Sequence, residues 1–361
     1  MTREWMSVID SIPIDWLLES DNPPVRFFTM RELLEYRKND SELIETKEDL
    51  CNYRVTQKIL NRQNLDGSWE LPNQPYLPKY KSSYWQIMLL AMFGLERTNK
   101  SVERGVEKIL NFQQPEGGFS TMEGQQKEYE FVRKRGVKKK DPIPPYEDWR
   151  SLKNREMQLS CLTGNVCLAL IQMGYEDHAA VKNALQWLVE IQNKDGGWLC
   201  PYWGAHKNDN HGCFMGTVPP LDAFSEVPKR LLTTSMKKAL EQGAEFLLMH
   251  RLYQADHHDF SPIKKDWLLL TFPQFFYDIL RGISVVTRLG HGADARIDDA
   301  LRVILNKRLP AGEWPVEKTY TGTMYQNIEQ KWRPSKWITL RVLKVLKNIV
   351  LTRGHLDLCQ E

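Results

Sequence analysis

The stretch ALQWLVEIQNKDGGW (184–198) decides how this chain folds. With Val181 just upstream, its apolar residues Ala184, Leu185, Leu188 and Val189 recur at helical spacing, so a helix runs up to the glutamine. The Asp-Gly-Gly run after it supplies a residue that tolerates positive φ, which ends the helix. Trp198 then packs back over the helix end, and Gln192 is placed to hydrogen-bond backbone groups exposed there.

The pattern returns at ILNRQNLDGSW (59–69), ILNFQQPEGGF (109–119) and ILNKRLPAGEW (304–314), and in degenerate form at FLLMHRLYQADHHDF (246–260). A more apolar segment follows each turn, at 82–95, 159–175, 213–224, 272–289 and 336–350, and a further helix is expected near 23–36. Helices apolar on most faces are buried, whereas amphipathic ones flank them. Repeats with this period predict an all-α chain, an (α/α)6 toroid of outer and inner helices spanning residues 51–350. Residues 1–50 read as an N-terminal helical extension and 351–361 as a tail. A charged stretch at about 121–150, with VRKRGVKKK (132–140), interrupts the repeats. It reads as a solvated insertion loop, or as a lid or contact for phosphate or an acidic partner.

Composition narrows the function. The 361 residues carry 49 basic and 46 acidic side chains, a formal net charge of +3, which argues against a nucleic-acid partner. The basic run has no interleaved aromatics to stack on bases. No run approaches the length of a membrane span, and no secretory signal is visible. The six cysteines show no disulfide framework, so a cytoplasmic protein with free or metal-bound thiols is expected.

The segment 184–198 is similar to the Gln-Trp repeat of squalene and oxidosqualene cyclases, which protein prenyltransferase β subunits keep less strictly. Both families are α/α toroids, and the resemblance covers about residues 55–350. It implies a terpenoid-cyclase- or prenyltransferase-like enzyme that binds an apolar, isoprenoid-type ligand in a central cavity. The Asp-x-Asp-Asp acid of the cyclases is absent; the nearest acidic pair, Asp298-Asp299, reads as a helix start. In the prenyltransferases a zinc is held by Asp, Cys and His. By resemblance Cys161 falls on the zinc Cys and His211 on the zinc His, while Leu159 stands at the Asp position.

Read from the residues alone, Cys161, Cys200, His211 and Cys213 come from neighbouring helix mouths and form a Cys3His set that suits zinc, with His206 and Asp209 in reserve. The alternative is that Cys161, Cys167 and Cys213 are small buried fillers. Asp278 is the candidate acid, alongside Cys161 and His211 as catalytic candidates. Tyr277, Asp278 and Arg281 are expected on one face of an apolar helix. Lys331 and Arg333, before a helix start near Ser335, are candidate anion contacts. Trp85, Trp203, Phe214, Phe276 and Tyr277 are candidate ligand-lining residues whose rings suit isoprenoid chains. A non-catalytic toroid that binds a lipid or a protein partner is the alternative function.

Overall fold

The computed structural model describes residues 4–139, 143–202, 204–206, 208–257 and 259–354. The chain is all-α, 54% helical, with no strand among the described residues. In chain order the helices are α1 (Ile14–Leu17), α2 (Pro23–Phe28), α3 (Ser41–Asp49), α4 (Arg54–Leu60), α5 (Ser83–Met92), α6 (Lys100–Leu110), α7 (Gln126–Lys139), α8 (Tyr146–Glu156), α9 (Ser160–Gln172), α10 (Ala179–Glu190), α11 (Phe214–Glu226), α12 (Thr234–Met249), α13 (Ile279–Arg288), α14 (Asp298–Leu305) and α15 (Lys336–Arg353). None of them is long and apolar enough to cross a membrane. Two compact units form, one from Met1–Asn61, Leu89–Leu95 and Leu240–Glu361, the other from Arg62–Met88 and Glu96–Ala239.

In the second unit the repeat closes three times in the same way. The backbone ring runs Gly67 N–H to Asn64 O at 3.0 Å, Gly117 to Gln114 at 2.9 Å and Gly196 to Asn193 at 3.0 Å. Each glycine has positive φ. At Gly117 a Cβ would also lie 2.5 Å from the Asn183 carbonyl, so no other residue fits. The glutamine four residues earlier donates twice. Gln63 reaches the Gly67 and Ser101 carbonyls, Gln113 those of Gly117 and Ala180, and Gln192 those of Gly196 and Ala239, all within 2.7–3.1 Å. One amide therefore fastens its own turn to the next amphipathic helix.

The aromatic is tied as well. The backbone N–H groups of Trp69, Phe119 and Trp198 donate to the hydroxyls of Ser83, Thr163 and Thr217, at 3.0, 2.9 and 2.9 Å. Those hydroxyls belong to the opening turns of α5, α9 and α11. The rings of Trp69, Phe119 and Trp198 are fully buried. The alternation read from the sequence holds in burial: α6 hides only Val102, Gly105, Val106 and Ile109, whereas α9 buries nine of its residues. Gly164 of α9 meets the Pro219–Pro220 backbone of α11 so closely that a Cβ would lie 2.4 Å away.

The first unit holds the other two copies. At Trp314 the pattern survives, with its N–H on Thr339 Oγ1 at 2.9 Å. Arg308 takes the glutamine position and bonds the Gly312 carbonyl together with the carbonyls of Asp10 and Ser11. In the degenerate copy His250 takes that position, its Nδ1 3.2 Å from the Gln254 carbonyl. There Gly282 replaces the inner hydroxyl, and Tyr277 fills the space, since a Cβ on Gly282 would lie 2.4 Å from its hydroxyl.

Two expectations need correction. The stretch 121–150 holds α7 and the start of α8 rather than only a solvated loop. Tyr129, Tyr146 and Trp149 hold the pair together with ring centroids 5.4–6.3 Å apart. The helix expected from 272 begins only at Ile279, because Asp278 is extended and caps it, accepting from the Arg281 N–H at 2.7 Å. Tyr277 and Asp278 thus precede the helix on which they were expected.

Candidate functional site

The second unit gathers thiols and aromatic rings at the start of α9. Cys161 lies in its first turn and hydrogen-bonds the thiol of Cys200. Ser160 Oγ stands 3.6 Å from Cys200 Sγ. The Cys200 N–H donates to His206 Nδ1 at 3.2 Å, which fixes the segment after Trp198 against the pair. Cys213, the N-cap of α11, is close enough to Cys161 to act on its charge. Cys200 is only 4% exposed, while Cys161 and Cys213 are half-buried.

The rings come from the loop before α5 and from its first turn. Tyr76 and Tyr80 both lie with centroids 5.0 Å from Trp85, and Trp85 Nε1 donates to the Tyr76 carbonyl at 2.8 Å. The Tyr76 hydroxyl sits beside Cys161 and Cys200: burial first, then the charge of these thiols, pushes its ionisation up. Cys161, Cys200 and Cys213 thus interact with one another, and Tyr76 lies between the first two and Trp85. Phe214 follows Cys213 and is buried, and Trp203 lies outside the described residues.

The electrostatics of the thiol pair are asymmetric. The Cys200 thiol is pushed down to about 6, chiefly because Cys161 donates to its thiolate, with Ser160 and the nearby His206 adding to the effect. Cys161 is held well above the ordinary thiol range, because it is the donor in that bond and is buried. Donation from Cys161 thus favours Cys200 as the first sulfur of the pair to ionise. Cys167, one helical face away on α9, is pushed up by burial alone.

The four ligands expected for zinc do not assemble. His211 has its Nδ1 2.9 Å from the Gly212 carbonyl and 4.0 Å from Asp195, and its side chain is 52% exposed. Asp209 accepts from the His211 N–H. Among the described residues no group of three or more His, Cys, Asp or Glu side chains is arranged to hold a metal ion. The thiols instead satisfy one another.

The first unit contains the expected acid. Asp278 is fully buried, and its carboxyl accepts from Thr271 N–H (2.7 Å), Arg281 N–H (2.7 Å) and Gln274 Nε2 (3.2 Å). Burial raises it to about 6 against the pull of these donors and of Arg341 and Arg281. Tyr277 donates its hydroxyl to the Leu252 carbonyl and lies edge-on to Trp267 at 5.0 Å, a bracing role. Phe276 faces Tyr320 at 6.3 Å.

The anion position expected near Ser335 is taken by the chain itself. Glu329 accepts from the Trp337 N–H and the Ser335 hydroxyl at the start of α15, and burial raises its carboxyl to about 7. The neighbouring Lys336 is buried against Glu19 and Asp21. Lys331 and Arg333 are exposed, with the Lys331 ammonium 5.1 Å over the Trp332 ring.

No family model and no curated protein matches this chain. Solved structures do. A protein from Actinoplanes is 14% identical with a TM-score of 0.47, covering 96% of this chain and all of that one. The type II terpene cyclase MstE from Scytonema is 14% identical as a variant with merosterolic acid A, with a TM-score of 0.44 and coverage of 92% and 87%. Another MstE variant, with geranylgeranyl dihydroxybenzoate, is 13% identical with a TM-score of 0.43 and coverage of 92% and 88%.

Sequence reasoning missed Tyr76, Tyr80, Ser160 and Glu329. The tyrosines lie within the loop QPYLPKY (74–80), whose two prolines mark an ordered loop beside the Trp85 helix. Ser160 carries no signal beyond standing next to Cys161. Glu329 precedes the next helix by seven residues, outside the usual capping spacing.

Proposed function

We propose that this chain is a terpenoid-cyclase- or prenyltransferase-like enzyme that holds an apolar, isoprenoid-type ligand against Tyr76, Tyr80 and Trp85, with the Cys161–Cys200 thiols at the edge of that surface. The frame is the all-α repeat, five helix–turn copies of which three are closed by glutamine. The observation that carries the reading is the contact of an aromatic group with one ionisable thiol pair in a single unit. An isoprenoid chain offers no hydrogen bonds, so its affinity comes from apolar area, about 25 cal/mol per Å² buried. Ring faces also attract carbocationic charge. Cys200, ionised near neutral pH, is the group of this cluster that takes up a proton.

The geranylgeranyl dihydroxybenzoate bound by the Scytonema cyclase is a suitable first probe. Purified protein is incubated with it and the products are separated by mass spectrometry, wild type beside Tyr76→Ala. Conversion that is lost in the variant supports the proposal; unchanged substrate and no binding overturn it.

A second reading, a non-catalytic ligand-binding protein, is favoured by one observation. Asp278 commits both carboxyl oxygens to three donors in its own chain. Binding of the probe that depends on Tyr76 but yields no product selects this reading.

A further inference from the structure

We propose that the outer face of α7 docks on an anionic phospholipid bilayer, with the Phe131 ring entering the interface and Lys127, Arg133, Lys134 and Arg135 meeting the headgroup phosphates. The two sides of this helix are unlike. Tyr129 and Gly136 are buried, and Tyr129 meets Tyr146 and Trp149 of α8 with ring centroids 5.4 and 5.5 Å apart. Two residues turn a helix by about 200°, so Phe131 lies on the side away from α8. It is 60% exposed. Lys127 stands four residues before it and Lys134 three after it, on the same outward stripe. Arg135, one turn further on, holds its guanidinium 5.5 Å from the Phe131 ring centroid. A large apolar ring is thus presented to solvent with cations around it.

The cations of this face are not neutralised within the chain. On α8, Arg150 pairs with Glu123 and Glu147, Lys153 with Glu128 and Arg155 with Glu116. On α7, no carboxylate among the described residues pairs with Lys127, Arg133, Lys134 or Arg135, and all four are exposed. Of the two carboxylates of the helix, Glu128 is engaged by Lys153, and Glu130 accepts from Gln126 Nε2 at 3.3 Å. The sequence continues with Lys138, Lys139 and Lys140, so positive charge gathers here in a chain whose formal net charge is only +3. An acidic protein surface would match these cations but not the exposed ring among them. A bilayer matches both, because its anionic headgroup plane lies directly over an apolar layer. The ring enters that layer, while the long Lys and Arg stems keep their charges at the phosphates. Nothing in this reading rests on the isoprenoid ligand.

The full chain is sedimented with vesicles of phosphatidylcholine alone and of phosphatidylcholine mixed with an equal amount of phosphatidylglycerol. Binding to the mixed vesicles only is expected, and high salt should release it. Each Lys or Arg near an anionic surface strengthens binding about fivefold, so the double variant Lys134→Glu/Arg135→Glu should bind at least about twentyfold more weakly. Phe131→Ser should also weaken binding several-fold. These substitutions change exposed side chains, so the circular dichroism of both variants should match the wild type. No binding to the mixed vesicles, equal binding to both kinds, or binding that both variants retain overturns the proposal. Binding lost in the charge variant but kept in Phe131→Ser, and competed by polyglutamate, identifies an acidic polypeptide as the occupant and overturns the bilayer.

Discussion

Gln192 donates one amide hydrogen to Gly196 at 2.8 Å and the other to Ala239 at 2.9 Å, so a single side chain holds both a turn and the helix beyond it. Gln63 and Gln113 do the same. The residue that marks the repeat in the sequence is thus the one that joins consecutive repeats.

Gln192→Ala leaves two part-buried carbonyls without their donors. A loss of about 1–3 kcal/mol of stability is expected, since an unsatisfied polar group costs its desolvation. Urea unfolding measures it. A midpoint equal to that of the wild type would show that solvent replaces both bonds.

The hydroxyl under each turn aromatic is a separate contribution. Thr217→Val keeps the shape of the side chain but strands the Trp198 N–H, which donates to Thr217 at 2.9 Å in a fully buried setting. It should destabilise by about 1–3 kcal/mol, whereas Thr217→Ser should lie close to the wild type. Equal stability of the Val and Ser variants in thermal unfolding would remove the hydroxyl from the account.

Glu329 makes stability depend on pH. Its folded value is raised to about 7, so the folded state binds its proton more tightly than the unfolded chain does. The contribution is full below the unfolded carboxyl range near 4.5 and is lost as pH rises through about 7. Glu329→Gln, which keeps an acceptor for the Trp337 N–H, should flatten the stability profile in that window. Parallel profiles for variant and wild type between pH 4.5 and 7 would exclude the effect.

Cys200 should alkylate as a thiolate well below the ordinary thiol range. Iodoacetamide labelling at this residue is expected to rise through about pH 6, with Cys167 unlabelled in the folded protein. Peptide mapping after short pulses reads both sites. A Cys200 profile that rises only near pH 9 would show that neither Cys161 nor Ser160 stabilises the charge.

The turns were legible because their chemistry is local. Gly67, Gly117, Gly196 and Gly312 need positive φ, and the glutamine (Arg308 before Gly312) and the aromatic keep fixed offsets from them. The hydroxyls of Ser83, Thr163, Thr217 and Thr339 lie 14 to 44 residues from the N–H groups that they serve, so no local pattern reveals them. In the candidate site, the sequence gathers Cys161, Cys200 and Cys213, and the structure keeps Cys161 and Cys200 in interaction. Which histidine joins them did not follow from spacing: His206 holds Cys200, whereas His211 is engaged by the turn at Asp195. Asp278 reads in the sequence as a candidate acid near Arg281; two of its three donors are backbone N–H groups, which a sequence does not display.

The central claim is that an isoprenoid-type ligand lies on the rings beside the thiol pair. A geranylgeranyl probe bearing a benzophenone tests it directly, by photo-crosslinking to the purified full chain and mapping of the labelled peptides. Saturable label in the segments that carry Tyr76, Tyr80 and Trp85, competed by unmodified geranylgeranyl compound and reduced in Tyr76→Ala, is the predicted result. Label that does not saturate, or saturable label confined to other segments, would contradict the account.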